Sequence, residues 1–373
     1  MSAYIQLIEN IEKVAVAKNA SDIHIEPQED NGYKIRLRID GRLRELKQND
    51  LLNPEHGKYF FGAIKQRYGF DVGKLGHDQD SRFTNNDLNF DFRCSLIPCS
   101  NRKPRLEKIC IRLLPRGKSF DLNSINFPVS SAIAHIKQAI NKNNGMILLT
   151  GPTGSGKTTT TVSTLVTAND KTLNTHTLED PIEYSLALKG INQTEIDENI
   201  SFARGLRSLL RQDPDTIMVG EIRDEETAKL ALYASQTGHL IISTLHTNSA
   251  EEIFERMSEL GVKKSLVESN LILGTAQRLL SKNCSKCSVI CEEQSLILSH
   301  ELSLDLKVKK GLGCELCDYT GYNGRIFLFE YIRREIENRK IVFKKYGSMK
   351  EQALNFLKEG ELDANETLSI YVD

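Results

Sequence analysis

The sequence predicts a mixed α/β chain of two domains: a small α+β domain, then a larger domain built on a parallel sheet and carrying a small cysteine-rich module. Three observations lead to this prediction. Apolar and polar residues alternate strictly over much of the first third, apolar bursts alternate with helical stretches after it, and two Cys-x-x-Cys pairs stand near the C-terminus. A length of 373 residues also exceeds the size at which a single core usually stops growing.

The first domain, residues 1–115, is predicted from a change of period. Apolar residues first recur at helical spacing, which predicts an amphipathic helix over Ile5, Leu7, Ile8, Ile11, Val14 and Ala15. The stretches "DIHIEP" and "YKIRLRIDGRLREL" then alternate, and Asp40-Gly41 is typical of a hairpin turn. Alternation in "LNFDFRCS" and "EKICIRLL" places Arg93 and Arg112 on the polar faces of strands.

The second domain, residues 129–373, follows a predicted linker over 116–128, where turn formers are frequent and periodicity is absent. A helix is predicted through Ile133, Ile136 and Ile140, and the strand "MILLT" comes after it. The bursts "THTLED", "TIMVGE" and "LIISTL" then alternate with helical stretches. This order predicts a parallel sheet with helices on both faces.

A glycine-rich loop follows the strand "MILLT" directly. The stretch from Gly151 to Thr158 fits G-x-x-x-x-G-K-[ST], whose backbone N–H groups cradle phosphates at the N-terminus of a helix. Lys157 reaches the terminal phosphates in such a loop, and Thr158 ligates Mg²⁺. We predict nucleotide contacts from Gly151, Pro152, Thr153, Gly154, Ser155, Gly156, Lys157, Thr158 and Thr159. The complete pattern, placed between a strand and a helix, disfavours an incidental glycine turn.

Hydrolysis needs a second strand that ends in a carboxylate near the metal. The stretch "DTIMVGEIRD" supplies a strand at Ile217 to Val219 with Glu221 at its carboxyl end. A Walker B strand usually ends in an aspartate before the glutamate, and here Gly220 occupies that place. Taken alone, the pattern is moderate evidence for a catalytic carboxylate.

Four stretches together resemble one family, the ATPases of type II secretion and type IV pilus assembly. They are "GPTGSGKTTT", "TLEDPIEY", "LRQDPDTIMVGEIRD" and "GHLIISTLHTNSA", in that order, and the resemblance covers most of residues 20 to 330. In that family, glycine before the Walker B glutamate is normal. The resemblance implies a RecA-like P-loop NTPase domain that hydrolyses ATP with Mg²⁺.

The resemblance also implies roles for individual residues. It assigns Glu221 to the Walker B motif. It assigns Glu179, Asp180 and Glu183 to an acidic box, and His239 and His246 to a histidine box. Glu183 and Glu221 are candidates for orienting water or holding the metal's waters, and the sequence does not decide which one is the general base. The histidines are expected to sense the terminal phosphate and relay its state.

The first domain is expected to complete the site of a neighbouring subunit. The resemblance places catalytic arginines in the patterns "FRCS" and "IRLL", which match here at Arg93 and Arg112. Such arginines neutralise the charge that develops during phosphoryl transfer. A solvated or salt-bridged strand face is the alternative. The resemblance implies a homo-hexameric ring with shared sites.

Four cysteines have the spacing of a zinc ribbon. The pairs Cys284-x-x-Cys287 and Cys314-x-x-Cys317 predict closed tetrahedral coordination of a structural zinc within a module over residues 280–325. Cys291 is near enough to be a fifth candidate ligand. A zinc-containing nucleic-acid translocase would share these features, but a net charge of -1 and a 7% aromatic content disfavour nucleic-acid binding.

The expected function is therefore that of a ring ATPase that powers assembly of a type IV pilus, a type II secretion pseudopilus or a competence pseudopilus. Its partner would be an inner-membrane platform protein. Retraction ATPases are the functional rival, and they typically lack the paired cysteine module. The sequence shows neither a signal peptide nor an apolar run long enough to span a membrane, which predicts a cytoplasmic protein that reaches the membrane through partners.

Overall fold

A computed structural model describes most of the chain. It covers residues 2–28, 32–46, 52–99, 106–117, 119–169, 172–186, 189–303 and 305–372. The chain divides into two compact units, Met1–Lys118 with Cys317–Thr320, and Ser119–Leu316 with Gly321–Asp373. Within the described residues, the helices are all too short or too polar to cross a membrane.

The first unit is an antiparallel sheet with two helices. The helices are α1 (Ser2–Ala17) and α2 (Pro54–Arg67), and the strands are β1 (Asp22–Pro27), β2 (Tyr33–Ile39), β3 (Arg42–Glu45), β4 (Gln79–Asn85), β5 (Phe90–Pro98) and β6 (Glu107–Pro115). The strand order is β3-β2-β1-β6-β5-β4. Burial alternates along β2, as the sequence predicts. Asp40 and Gly41 both have positive φ, which a two-residue type I′ hairpin requires.

Helix α1 faces the core with a narrower stripe than its sequence predicts. Ile8, Ile11 and Ala15 are buried, whereas Val14 is 37% exposed. Glu12 takes a core position instead, where its carboxylate accepts hydrogen bonds from Arg67 at 2.7 Å and from the Tyr68 hydroxyl at 2.8 Å. The predicted amphipathic helix is confirmed, and its buried stripe runs through positions 8, 11, 12 and 15, which leaves position 14 on the solvent side.

The second unit contains a larger sheet surrounded by helices. Its helices are α3 (Ala132–Ile140), α4 (Lys157–Ala168), α5 (Phe202–Leu209), α6 (Glu225–Gln236), α7 (Ile253–Glu259), α8 (Lys264–Asn270), α9 (Glu292–Leu302), α10 (Met349–Lys358) and α11 (Ala364–Val372). Its strands are β7 (Gly145–Thr150), β8 (Thr175–Glu179), β9 (Ile191–Glu195), β10 (Thr216–Val219), β11 (Leu240–Leu245), β12 (Leu271–Asn283), β13 (Ser288–Ile290), β14 (Lys309–Gly311), β15 (Tyr322–Glu337) and β16 (Lys340–Tyr346).

The order of the large sheet brings several strand ends to one edge. The order is β16-β15-β12-β7-β11-β10-β8-β9, and the strands from β12 to β9 pair in parallel. Their carboxyl ends therefore lie along a common edge. Alternate residues of β7 belong to two different apolar clusters. Met146 and Leu148 lie in one cluster, and Ile147 and Leu149 lie in the other, so both faces of the sheet are covered. The predicted parallel sheet with helices on both faces is confirmed.

Part of the segment predicted as a linker packs into the second unit. Phe120 and Leu122 are buried in the same apolar cluster as Leu149. The ring of Phe120 also lies edge-on to Tyr184, with centroids 4.8 Å apart. Ile125 and Phe127 pack against the same cluster, so four apolar residues anchor this stretch, although they form no period that a sequence pattern can detect.

Candidate functional site

The glycine-rich loop joins β7 to α4 at the carboxyl edge of the large sheet. All six residues of β7 are buried, and α4 begins at Lys157. Gly156 has a φ of 86°, the left-handed conformation that lets the chain turn into the helix. The Lys157 ammonium donates hydrogen bonds to the carbonyl oxygens of Gly151 at 2.5 Å and Pro152 at 3.0 Å. The lysine is thus held over the loop that it is predicted to serve.

The Lys157 ammonium lies in a poorly solvated, positively charged setting. Burial, and to a smaller extent the nearby positive charge of Arg278, together lower its pKa to about 8. Lys157 is partly buried and has no carboxylate partner among the described residues, so an anionic ligand would stabilise its charge. This environment suits phosphate binding.

The close approach of two strands explains why position 220 is a glycine. Its N–H donates to the carbonyl of Leu178 on β8 at 2.7 Å. A Cβ at this position would lie 3.0 Å from the same oxygen, closer than ordinary contact. The glycine that departs from the usual Walker B pattern therefore allows the backbones of β10 and β8 to approach where β10 ends.

Glu221 is the centre of a small charged group. Its side chain is 12% exposed, and one carboxylate oxygen lies 3.2 Å from Nε2 of His246. The other oxygen pairs with Arg223, whose guanidinium also lies 3.7 Å from the Asp180 carboxylate. Glu221 follows β10 and His246 follows β11, so adjacent parallel strands deliver the pair.

His246 is a neutral hydrogen-bond donor in this arrangement. Burial lowers its pKa first, and the positive charges of Lys157, Arg223 and Arg256 lower it further. A neutral imidazole facing a carboxylate donates its Nε2 proton to the carboxylate oxygen. The His246 imidazole therefore donates to the Glu221 carboxylate, and it lies close enough to Lys157 for the positive charge of that ammonium to act on it.

The two glutamates of the predicted acidic box differ in surroundings. Glu179 ends β8 and is buried, and its carboxylate accepts from the Thr177 hydroxyl at 2.6 Å and from the Gln193 amide at 2.8 Å. These bonds fix its orientation within the protein. Glu183 lies in the following loop and is half-buried. Of the two, Glu183 is the more accessible to a ligand.

The structure does not bring His239 into this group. His239 precedes β11, whose Leu240 pairs with Gly145 at the start of β7, whereas the phosphate loop follows the other end of β7. The imidazole lies 2.9 Å from the carbonyl of Ala234, which belongs to the last turn of α6. Lys157, Glu221 and His246 share the carboxyl edge, and His239 lies at the amino edge.

Arginines line one face of the first unit's sheet. The cross-strand register pairs Arg82 with Arg93, Arg93 with Arg112, Arg112 with Asp22, and Asp22 with Arg38. The Arg112 guanidinium contacts the Asp22 carboxylate at 3.2 Å and is 57% exposed. Like charges directly opposite each other destabilise a sheet. A row of four arginines and one aspartate is therefore suited to an anionic partner.

The four predicted cysteines form one cluster. The sulfur atoms of Cys284, Cys287, Cys314 and Cys317 all lie within 4.8 Å of one another, and those of Cys284 and Cys314 are 3.8 Å apart. Tetrahedral zinc with Zn–S bonds of about 2.3 Å needs sulfurs about 3.8 Å apart. The donor set fits a metal ion, and Cys291 lies outside the cluster among the described residues.

Three side chains near the site have no role predicted from the sequence. Arg223 pairs with Glu221, Arg278 influences Lys157 and donates to Asn248 at 2.8 Å, and the amide of Gln277 donates to the carbonyl of Ser155 at 2.8 Å. Gln277 and Arg278 are buried polar residues in the middle of β12, between the apolar residues Ala276 and Leu279. That interruption is the signal by which a sequence reading could have found them.

The fold and the loop define a class: a P-loop nucleotide-binding protein on a mainly parallel sheet with an added antiparallel edge. The family described as "Type II/IV secretion system protein" matches residues 1–369, and the chain belongs to that family.

Individual relatives agree with this assignment. The chain is 40% identical over 338 residues to the type II secretion system protein E of Aeromonas hydrophila, covering 88% of this chain and 65% of that protein. It is 37% identical over 353 residues to the type IV pilus assembly ATPase PilB of Thermus thermophilus, covering 91% of this chain and 38% of that protein. The structure of the pilus retraction motor PilT with bound ADP aligns with a TM-score of 0.66 at 26% identity, covering 97% of this chain and 96% of that one.

Proposed function

We propose that this chain is the ATP-hydrolysing part of a ring motor that drives assembly of a type II secretion pseudopilus, a competence pseudopilus or a type IV pilus. One observation carries the proposal: the phosphate loop with Lys157, and the Glu221–His246 pair, all follow parallel strands at one edge of the large sheet. This is the arrangement in which a bound polyphosphate and an attacking water meet.

The loop and its lysine bind the phosphates. The Lys157 ammonium exchanges the carbonyls of Gly151 and Pro152 for phosphate oxygens, and the backbone N–H groups at the start of α4 donate to the same ligand. Thr158, the second residue of α4, would hold Mg²⁺ through its hydroxyl. Bound Mg²⁺ would neutralise part of the phosphate charge.

Glu221 is the residue proposed to orient the attacking water. Its carboxylate is held by His246 and Arg223 at the end of a strand, which fixes the direction of its oxygens. Glu179 is engaged with Thr177 and Gln193, which makes it a supporting residue. Glu183, the more accessible carboxylate of the acidic box, is proposed to hold waters around the metal.

The arginine row supports a site completed by a second subunit. Arg93 and Arg112 lie opposite each other on adjacent strands, and Arg112 and Arg38 both contact the Asp22 carboxylate. Arginines supplied by a neighbour stabilise the charge of the phosphoryl-transfer transition state. We propose a homo-hexamer in which this row faces the nucleotide of the adjacent subunit. Hydrolysis would then change the contact between neighbours and move the partner platform protein.

The choice between assembly and retraction is supported by two observations. The pilus assembly and secretion relatives share 37–40% of aligned residues, compared with 26% for the retraction motor. The four-cysteine cluster is the second observation, since retraction ATPases typically lack the paired motif. A cytoplasmic location beside a membrane-bound partner follows from the proposed role.

Mixed rings test the shared site. The Arg112→Ala and Lys157→Ala proteins should each be inactive, while mixed rings from an equimolar mixture should recover about a quarter of the wild-type rate. About a quarter of the sites then combine a subunit that keeps Lys157 with a neighbour that keeps Arg112. Mg-dependent phosphate release at matched total protein is the measurement. A wild-type protein without Mg-dependent hydrolysis would contradict the proposal that this chain is an ATPase. An active wild type whose mixture stays inactive would contradict only the shared site.

We further propose that the cysteine cluster holds one structural zinc. Four thiolate ligands fill all four coordination positions of zinc and give a closed site. Closed sites stabilise the fold, whereas catalytic sites keep one position open for water or substrate. Hydrogen bonds support the ligands, since the N–H of Gly313 points to the Cys287 sulfur at 3.3 Å. The antiparallel strands β13 and β14 join the two cysteine pairs.

Replacing Cys284 by serine should remove most of the zinc. The wild type should contain about one zinc per chain, and the variant less than about a tenth of that, because three thiolates and a hydroxyl bind the ion far more weakly. Inductively coupled plasma spectrometry and thermal melting are the measurements, and the melting temperature should fall by several degrees. Cys291→Ser is the matched control, because this cysteine lies in the same module outside the cluster. Equal zinc in wild type and Cys284→Ser would contradict the site.

A further inference from the structure

Gln277 is a fully buried polar residue beside the phosphate loop. Its side chain is 0% exposed, and its amide nitrogen donates to the carbonyl of Ser155 at 2.8 Å. The parallel pairing of β12 with β7 extends to Ala276 opposite Thr150. Gln277 is the next residue of β12, and the loop follows Thr150. The side chain therefore reaches from a rigid strand to the backbone of the loop.

The direction of that hydrogen bond determines the direction of a neighbouring donor. A peptide group is planar and trans, so its C=O and its N–H point to opposite sides. The Ser155 carbonyl points to Gln277, and the N–H of Gly156 in the same peptide consequently points away from β12. In a phosphate loop, such backbone N–H groups are the phosphate donors.

The loop is also packed closely against the same residue. A Cβ on Gly151 would lie 2.4 Å from the backbone oxygen of Gln277, and a Cβ on Gly156 would lie 3.3 Å from its amide nitrogen. Both ends of the loop thus lie against Gln277, and the contact at Gly151, which is with backbone, leaves no room for a larger residue. The position of β12 sets the position of the loop.

A glutamine at position 277 makes β12 less stable than an apolar residue of the same size would. Its amide oxygen is buried and has no hydrogen-bond partner among the described residues. A buried polar atom without a partner lowers stability, and an apolar residue of similar size would avoid that loss. The favourable contact that Gln277 provides is the one to Ser155. Its contribution is therefore to the conformation of the loop.

We propose that Gln277 is a positioning residue for nucleotide binding. It fixes the peptide between Ser155 and Gly156 so that the Gly156 N–H points towards the bound phosphates. This inference rests on the proposed nucleotide site, and it adds a residue of β12 that does not touch the ligand. Because the same peptide donor serves the ground state and the transition state, loss of Gln277 weakens binding more than it slows chemistry.

Gln277→Leu, which keeps the size and removes the donor, tests the proposal. We expect the dissociation constant of the fluorescent nucleotide mant-ADP to rise about tenfold, the loss that corresponds to one buried hydrogen bond. The KM for ATP should rise similarly, and kcat should stay within about twofold. Gln277→Met is the second variant if the leucine protein does not fold.

Thr275→Val is the matched control. Thr275 is 1% exposed and lies two residues before Gln277, on the same face of β12, and its hydroxyl has no hydrogen-bond partner among the described residues. Its mant-ADP affinity should equal that of the wild type. A folded Gln277→Leu protein that binds mant-ADP as tightly as an active wild type would overturn the inference and leave the proposed function intact. A wild type that does not bind mant-ADP would overturn both.

Discussion

Replacing Lys157 by alanine is expected to reduce ATP turnover by about a thousandfold or more. The ammonium is the cation at the start of α4, and it already bonds two carbonyls of the loop at 2.5 and 3.0 Å. Alanine leaves the loop backbone but removes the charge that the terminal phosphates meet. Phosphate release under saturating ATP and Mg²⁺ is the measurement, and mant-ADP affinity should fall with it.

The same lysine should give nucleotide binding a distinctive pH dependence. Its pKa is lowered to about 8 by burial and by Arg278, and only the protonated form attracts phosphate. The neutral fraction grows as the pH rises through that value, so affinity for mant-ADP should fall about tenfold from about pH 7 to about pH 9. Lys157→Arg keeps its charge across this range and should lack the decline. A Lys157→Ala protein with full turnover, or a wild type with a flat profile, would contradict the role of the ammonium.

Much of the fold could be predicted because it depends on local periodicity. The alternation of β2 and the Asp40-Gly41 turn need only neighbouring residues, and the structure agrees with both. Val14 and the segment around Phe120 were harder, since their burial depends on which element packs against them. That information is non-local and leaves no period in the sequence.

The candidate site divides in the same way. The loop from Gly151 to Thr158 is continuous in the sequence, so its chemistry is readable directly. Glu221 and His246 are 25 residues apart and meet only because β10 and β11 are neighbours in the sheet. Motif resemblance groups His239 with His246, but the two stand at opposite ends of β11. Strand direction, which a short motif does not carry, separates them.

Buried polar support is the part that pattern reading misses. Gln277 and Arg278 lie more than a hundred residues from the loop that they affect, and both are buried in the middle of β12. Arg223 is two residues from Glu221, yet its pairing with that carboxylate depends on how the chain turns after β10. Such contacts can be predicted only after the order of the strands in the sheet is known.

Glu221→Gln should lower kcat by roughly two to four powers of ten, the range for loss of a positioned general base. Glutamine keeps the size of the side chain and can still accept the hydrogen bond from His246, which lies 3.2 Å from the carboxylate. What it loses is the negative charge that takes a proton from water. Affinity for mant-ADP should change little, so the effect should appear in kcat and not in binding. Single-turnover hydrolysis of prebound ATP measures the chemical step directly.

Glu183→Gln is the control that distinguishes the two carboxylates. Glu221 is oriented by His246 and Arg223 from adjacent elements, whereas Glu183 stands in the loop after β8, the next strand outward from β10. A water-orienting base must keep its oxygens fixed relative to the loop that binds phosphate, and Glu221 meets that condition. We therefore expect Glu183→Gln to raise the Mg²⁺ concentration needed for half-maximal activity while its single-turnover rate at saturating Mg²⁺ stays within about tenfold of wild type. The reverse result, a large loss for Glu183→Gln and near-normal hydrolysis for Glu221→Gln, would transfer the role of base to Glu183.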